Sequence, residues 1–124
     1  MNSLFLVMAG GAVGAGLRHL VGRAALVALG PAWPWGTLMV NIVGGLVMGV
    51  LAGSLSRVSD GEAWRLLLGV GVLGGFTTFS AFSLDAVLMI QRGEIAAMLA
   101  YVILSVFGAI GALALGLGLT RGFA

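Results

Sequence analysis

The residues with the greatest chemical capacity lie in the stretch GGFTTFSAFS, residues 74–83. It contains two threonines, two serines and three phenylalanines inside an otherwise apolar part of the chain. Hydroxyl groups donate hydrogen bonds, and the edge of a phenylalanine ring carries the positive part of its quadrupole. Neither group carries a full charge, so an anion that they attract can also be released. The stretch therefore predicts a weak anion site.

The two glycines that open this stretch predict an interrupted helix. Gly74 and Gly75 precede Thr77 and Thr78, and glycine and β-branched residues both weaken a helix interior. Irregular backbone at membrane depth survives where it is buried in protein or lines a wet cavity, and its free carbonyls can bind a small cation. We expect a second half-helix to begin near Thr77 or Thr78. Its hydroxyl and ring groups then share one face: Thr78, Phe79, Phe82 and Ser83.

Three polar residues in other apolar runs are candidates to join this site. Asn41 is the only amide deep in its run, and Tyr101 and Ser105 lie one helical turn apart in the last run. Two functions remain open for Asn41, since its amide either donates to an ion or only holds two helices together. Tyrosine is also common at membrane interfaces. A serine hydroxyl can bond to its own helix backbone.

The composition indicates that these residues lie in a membrane protein. The 124 residues are 60% hydrophobic and 8% charged, whereas soluble chains carry about 25% charged residues. We expect one all-α integral membrane domain over residues 1–124. With no Cys, one His and four acidic residues, the chain offers no thiolate chemistry and no catalytic constellation, so an enzyme is not expected. The six Arg are scattered as interface anchors, not clustered as nucleic-acid-binding proteins require.

Four membrane spans are predicted, since each needs roughly 20 mainly apolar residues. They cover residues 3–29, 36–55, 66–84 with a continuation to 90, and 95–120. The first is one helix with an amphipathic far end, and it is not expected to be a cleaved signal because no Lys or Arg precedes Arg18. The connections are PAWP at 31–34, with Trp33 and Trp35 suited to an interface, SRVSDGEAWR at 56–65 and QRGE at 91–94.

The arginines give almost no orientation signal. Cytoplasmic loops normally hold the excess of Lys and Arg. The side of the termini carries three arginines and the other side carries three, or two if Arg18 lies within the membrane. These are Arg57, Arg65 and Arg121 against Arg18, Arg23 and Arg92. Either one weak cue still fixes the orientation, or the chain inserts both ways round and pairs with an inverted copy.

Glycine favours tight helix association. The chain has 22 glycines, and several recur at intervals of four residues, the spacing at which small residues let helices approach in lipid. These are Gly10 and Gly14, then Gly45, Gly49 and Gly53, then Gly71 and Gly75. Four short helices enclose little space, so we expect an oligomer.

Three motifs resemble those of the CrcB/Fluc family of fluoride channels. GGFTTFSAFS resembles the signature GGxTTFSTF, GTLMVNIVGG at 36–45 resembles the second-helix motif with its Asn, and GAGLRH at 14–19 is similar to the first helix ending in Arg. The likeness covers nearly the whole chain. There are two departures: Ala81 stands where the signature commonly has Thr, and Ala109 where some relatives carry a hydroxyl.

The resemblance implies a passive channel that exports cytoplasmic fluoride through a bacterial inner membrane. It implies an antiparallel, dual-topology homodimer with two pores at its interface and a structural sodium ion at its centre. The carbonyls of Gly74 and Thr77 would hold the sodium, and Arg18 and Asp85 would lie at vestibules. The implied pore residues are Asn41, Thr78, Phe79, Phe82, Ser83, Tyr101 and Ser105.

Two other classes of function share part of this pattern. A small multidrug transporter of the dual-topology type also has four short helices, but it needs a carboxylate in mid-membrane. The only acid within a predicted span is Asp85, near one end. A short cation-binding assembly subunit would use the polar cluster only to hold helices together, which leaves the shared face of rings and hydroxyls unexplained.

Overall fold

The computed structural model describes residues 2–121, and all regular structure in that range is helical. The helices are α1 (Asn2–Leu29), α2 (Trp35–Leu55), α3 (residues 62–76), α4 (Ser80–Gln91) and α5 (Ile95–Arg121). Four helical segments are long and apolar enough to cross a membrane, with α3 and α4 together forming the third, Glu62–Gln91. The predicted all-α, four-span membrane architecture is confirmed, and the first segment is one helix.

Two glycines end helices at one side of the fold. Gly30 follows α1 and Gly93 follows α4, with φ of 81° and 78°, a left-handed conformation that glycine adopts without strain. Between α1 and α2, the rings of Trp33 and Trp35 meet edge to face with their centroids 4.9 Å apart. Trp33 also packs against Tyr101 of α5 at 5.8 Å. The two tryptophans pack against a small buried core that consists of Leu38, Phe82, Met89 and Tyr101.

Glycines bring α1 and α3 into backbone contact. A Cβ on Gly14 would lie 2.8 Å from the backbone nitrogen of Phe76, and one on Gly75 would lie 2.6 Å from the carbonyl oxygen of Gly11. Any side chain at these positions would push the helices apart. We call this contact the α1–α3 seam. The repeats at four-residue spacing thus pack helices within one chain, and whether they also serve between chains stays a prediction.

Most of α3 is wound more widely than an α-helix. Its central stretch Arg65–Leu73 is π-helical, between short α-helical pieces at Glu62–Trp64 and Gly74–Phe76. The backbone N–H of Gly74 accordingly bonds to the carbonyl of Gly69, five residues earlier. This wide turn carries Gly69 and Gly71, both buried.

The third span is broken, but later than the sequence predicted. Gly74 and Gly75 are helical, Thr77 is extended with φ −85° and ψ 162°, and α4 begins at Ser80 instead of Thr77 or Thr78. The expected weakness of the glycines is overridden by the seam, which holds Gly75 against α1. We call residues 77–79 the break.

Candidate ion-binding site

Threonine side chains complete both ends of the break. The N–H and the hydroxyl of Thr77 both donate to the carbonyl of Leu73, at 3.0 and 2.9 Å, and so end α3. The hydroxyl oxygen of Thr78 accepts a hydrogen bond of 3.1 Å from the backbone N–H of Ala81 in the first turn of α4. A hydroxyl in this position satisfies one of the free N–H groups at a helix start.

Asn41 of α2 binds the middle of the break with both ends of its amide. Its Nδ2 donates to the carbonyl of Thr78 at 2.9 Å, and its Oδ1 accepts from the N–H of Thr78 at 2.8 Å. The amide thus replaces the backbone partners that Thr78 would have in a continuous helix. One N–H of Nδ2 remains for another acceptor. The interhelical role left open for Asn41 is therefore present, and it does not exclude a role toward an ion.

Arg18 of α1 also reaches the break. Its Nε donates to the carbonyl of Gly75 at 3.1 Å, in the last turn of α3. A cation near a helix C-terminus is stabilised by the helix dipole. Among the described residues, the ion pairs are Arg65 with Glu62 and Arg92 with Glu94, so no carboxylate neutralises Arg18 there.

Three carbonyl oxygens at the break receive no hydrogen bond from residues 2–121: those of Gly74, Phe76 and Thr77. Gly74 and Thr77 are the two that the resemblance implied as cation ligands. No cluster of three or more His, Cys, Asp or Glu side chains forms in the described range. Neutral oxygen atoms at the C-terminal end of a half-helix suit a cation without help from a carboxylate.

A groove of about 490 Å³ runs beside the break between α2, α4 and α5. The rings of Phe79 and Phe82 lie with centroids 5.6 Å apart, and Phe79 is 77% exposed while Phe82 is 8% exposed. Five of the seven predicted pore residues line this groove: Asn41, Thr78, Phe79, Phe82 and Ser105.

Ser105 gives the groove an unpaired donor. Its Oγ is buried and has no hydrogen-bond partner within the described chain. A buried hydroxyl without a partner is costly, so such a group calls for an occupant or a functional explanation. One turn further along α5, Ala109 lines the same groove and offers only a methyl group.

The two remaining predicted pore residues do not line the groove. Ser83 donates to the carbonyl of Phe79 at 2.9 Å, so its hydroxyl is occupied by its own helix. Tyr101 is fully buried, and its hydroxyl donates to Asp85 at 3.0 Å. Its ring packs behind Phe82 with centroids 5.2 Å apart. Tyr101 thus contacts the back of a groove residue.

The two predicted vestibule residues lie in adjoining cavities. Arg18 lines one of about 270 Å³, and Asp85 lines one of about 320 Å³ with Arg92. The cavities have four lining residues in common: Gly22, Leu26, Gly36 and Thr37. Thr78 lines both the Arg18 cavity and the groove, so it borders both of these spaces.

The sequence reasoning did not single out Thr37, although it borders both cavities. Its position four residues before Asn41 places both on one face of α2, which was the available signal. The apolar lining of the groove was also missed, because apolar residues in a membrane span carry no distinguishing mark. These are Met48, Val106, Ile110 and Leu113.

The same residues that build the break and the groove lie within a matched family region. Residues 5–117 match the family described as "CrcB-like protein, Camphor Resistance (CrcB)". The chain belongs to the CrcB-like family. The resemblance found in the third-span, second-span and first-span motifs is therefore confirmed.

Full-length relatives of this CrcB-like chain carry the name "Fluoride-specific ion channel FluC". The protein of Sphingopyxis alaskensis is 57% identical over 122 residues, covering 98% of this chain and 97% of the relative. That of Caulobacter vibrioides is 53% identical over 123 residues, with coverage of 98% and 97%. That of Novosphingobium aromaticivorans is 52% identical over 126 residues and covers both chains completely.

Proposed function

We propose that this chain forms a passive fluoride channel that exports fluoride from the cytoplasm across a bacterial inner membrane. The observation that carries the proposal is the groove, in which the exposed ring of Phe79 and the unpaired hydroxyl of Ser105 face one space. The names of the full-length relatives support fluoride as the ion.

The groups around this space favour an anion. Arg18 places an unneutralised positive charge at the break, where the low dielectric of a membrane protein strengthens its field. The Ser105 hydroxyl and the ring edges of Phe79 and Phe82 then replace part of the hydration that a small anion loses. No single group binds with full charge inside the groove, so the ion is passed on and not trapped.

The proposed path begins in the Arg18 cavity, passes Thr78 and continues through the groove. Thr78 borders both spaces, and the free N–H of Asn41 lies beside it. Pore roles for Ser83 and Tyr101 and a vestibule role for Asp85 remain predictions. For Tyr101, the structure favours a supporting role, because its ring packs against Phe82.

An inverted second copy is proposed to cover the groove. In a single chain in a bilayer, the buried Ser105 hydroxyl and the free carbonyl of Thr77 have no hydrogen-bond partner, and hydrocarbon beside the groove supplies none. Because Arg18 binds at the break, the arginine count is three on the termini side against two on the other. This near balance supports insertion in both orientations. Two copies give two grooves and hence two pores.

The free carbonyls fit a structural sodium ion on the axis between the copies. Gly74 and Thr77 of each chain would hold it, and since the described residues form no cluster of three or more His, Cys, Asp or Glu side chains, a monovalent ion is favoured over calcium or magnesium. When bound, sodium supplies a fixed positive charge beside both anion paths. The chain contributes the carbonyl oxygens of Gly74 and Thr77, which receive no hydrogen bond from residues 2–121.

Ion efflux from liposomes tests the proposal. Vesicles that contain the purified protein are loaded with fluoride. They should release fluoride, as measured by a fluoride electrode, once a counter-ion is also allowed to cross the membrane. Vesicles loaded with chloride should release little. Proton-driven uptake of an organic cation would instead identify a multidrug transporter, and no flux of any of these ions would indicate a structural subunit.

A further inference from the structure

We propose that Asn41 and the hydroxyl of Thr78 are positioning residues for the cation site, an inference that rests on the proposed function. In an uninterrupted α-helix each N–H bonds to the carbonyl four residues earlier. The carbonyl of Gly74 would therefore accept from Thr78, and the carbonyl of Thr77 would accept from Ala81. Both of these N–H groups bond to side chains instead.

Asn41 keeps the Gly74 carbonyl free. Its Oδ1 takes the N–H of Thr78 at 2.8 Å, which is the donor that would otherwise close that carbonyl. At the same time its Nδ2 holds the carbonyl of Thr78 at 2.9 Å, so the peptide groups on both sides of Thr78 are fixed. One amide thus opens a carbonyl in α3 and fixes the backbone that follows it.

The Thr78 hydroxyl keeps the Thr77 carbonyl free in the same way. Its Oγ1 takes the N–H of Ala81 at 3.1 Å, the helical donor for Thr77. Arg18 meanwhile occupies the intervening carbonyl of Gly75. Side chains from α1, α2 and the break therefore act on three carbonyls of this short segment, leaving those of Gly74 and Thr77 free and occupying that of Gly75.

A purely structural role predicts something different. If Asn41 and Thr78 only hold helices together, their loss lowers stability by the same amount with or without sodium. If they position ligands, their loss weakens sodium binding, because the diverted N–H groups return to the carbonyls of Gly74 and Thr77. The sodium dependence of unfolding separates the two roles, since a bound ion stabilises according to its concentration relative to its Kd.

The experiment is a sodium titration of thermal unfolding on the purified dimer, with choline keeping the ionic strength constant and no fluoride present. Thr78→Val removes the hydroxyl with little change in volume, and Thr78→Ser retains it. Asn41→Leu removes both the acceptor for the Thr78 N–H and the donor to the Thr78 carbonyl. Thr120→Val is the matched control, because among residues 2–121 the Thr120 hydroxyl bonds only to carbonyls of α5, at Gly116 and Leu117.

We expect Thr78→Val and Asn41→Leu to raise the half-saturating sodium concentration about tenfold, the size of one lost hydrogen bond to a charged or strongly polar site. Thr78→Ser and Thr120→Val should each stay within about twofold of the unmodified protein. If Asn41→Leu does not fold, the Thr78 pair carries the comparison.

Two results would overturn the inference. One is an unchanged half-saturating sodium concentration in Thr78→Val with a uniformly lower unfolding temperature, which makes the residue structural and leaves the channel proposal intact. The other is an unmodified dimer that sodium does not stabilise, which removes the cation site along with the inference. The efflux measurement still decides fluoride conduction in that case, so the two failures are distinguishable.

Discussion

The α1–α3 seam and the groove are both rich in small residues, yet they differ in what their polar groups do. In the seam, Gly14 and Gly75 let backbones touch, and the chain stays helical throughout the contact. In the groove, Gly45 and Ala109 also approach closely, with a Cβ on Gly45 lying 2.7 Å from the carbonyl of Ala109. There, however, the hydroxyl of Ser105 and the carbonyl of Thr77 have no partner in the described chain.

The comparison indicates that the third span is interrupted where side chains take over backbone hydrogen bonds, and not where the residues of lowest helix propensity lie. Gly74 and Gly75 are the poorest helix formers of the segment, but packing keeps them helical. Thr77 and Thr78 leave the helix where Asn41 and Arg18 supply alternative partners. The seam therefore provides stability and the groove provides chemistry.

The largest effect is expected from closing space in the seam. Gly14→Ala places a Cβ against the backbone of α3, 2.8 Å from the nitrogen of Phe76, and should destabilise the fold by about 3 kcal/mol. Gly16→Ala, on the same helix, meets nothing within 4 Å and should not destabilise it. Thermal unfolding in detergent measures both. Equal unfolding temperatures would show that the seam is not close-packed.

A large effect is also expected from forcing every groove to face the same way. Two Lys added beside Arg121 should bias the termini toward the cytoplasm, leaving few inverted partners. Fluoride efflux should fall about tenfold and recover on co-expression with a copy carrying two Lys beside Arg92. Protease accessibility of a terminal tag reports orientation. Normal efflux from a variant fixed in one orientation would contradict the inverted dimer.

An intermediate effect is expected within the groove from Phe79. Phe79→Ile removes the ring edge but keeps apolar bulk, and since such hydrophobic exchanges cost little packing energy, the unfolding temperature of the protein should change little. Efflux should fall at least about tenfold, equivalent to about 1.4 kcal/mol in the barrier. Phe107→Ile serves as a control, since Phe107 is 71% exposed and lies outside the groove lining. Undiminished efflux in Phe79→Ile would reject the ring-edge argument.

The smallest effect is expected from single hydroxyl groups along α5. Ser105→Ala removes a buried oxygen without a partner, so stability should hold while efflux falls severalfold. The reciprocal change, Ala109→Ser, adds a donor one turn further along the groove and should raise efflux. The fluoride electrode assay measures both variants. A loss of stability in Ser105→Ala without a loss of efflux would assign the hydroxyl to packing.

The spans were predictable because each is a long uncharged run, and hydrocarbon thickness sets the required length. The site was predictable only in part. The bond of the Ser83 hydroxyl to its own helix could have been anticipated, since a serine inside a helix commonly bonds to the carbonyl four residues earlier. The bond from Arg18 to Gly75 joins residues 57 positions apart, and it depends on how closely α1 meets α3. A local sequence pattern does not predict how closely these two helices approach each other.

The predicted position of the break was also wrong because the actual position depends on contacts between residues far apart in the sequence. Propensity acts residue by residue and indicated Gly74, whereas the actual departure from helix requires a partner for each N–H and carbonyl that is released. Asn41 provides those partners at Thr78, 37 positions away in sequence. The motif shows that a break exists, and the contacts of α2 determine where it falls.

The three tryptophans are distributed unevenly between the two ends of the helices. Trp33 and Trp35 form an edge-to-face pair at one end of the helices, while Trp64 stands alone, 54% exposed, at the other. A population inserted one way would lose more fluorescence to a quencher confined to one leaflet than to the same quencher in the opposite leaflet. A population inserted equally both ways would lose the same fraction from either side. The chain thus contains its own spectroscopic gauge of orientation, with no added label.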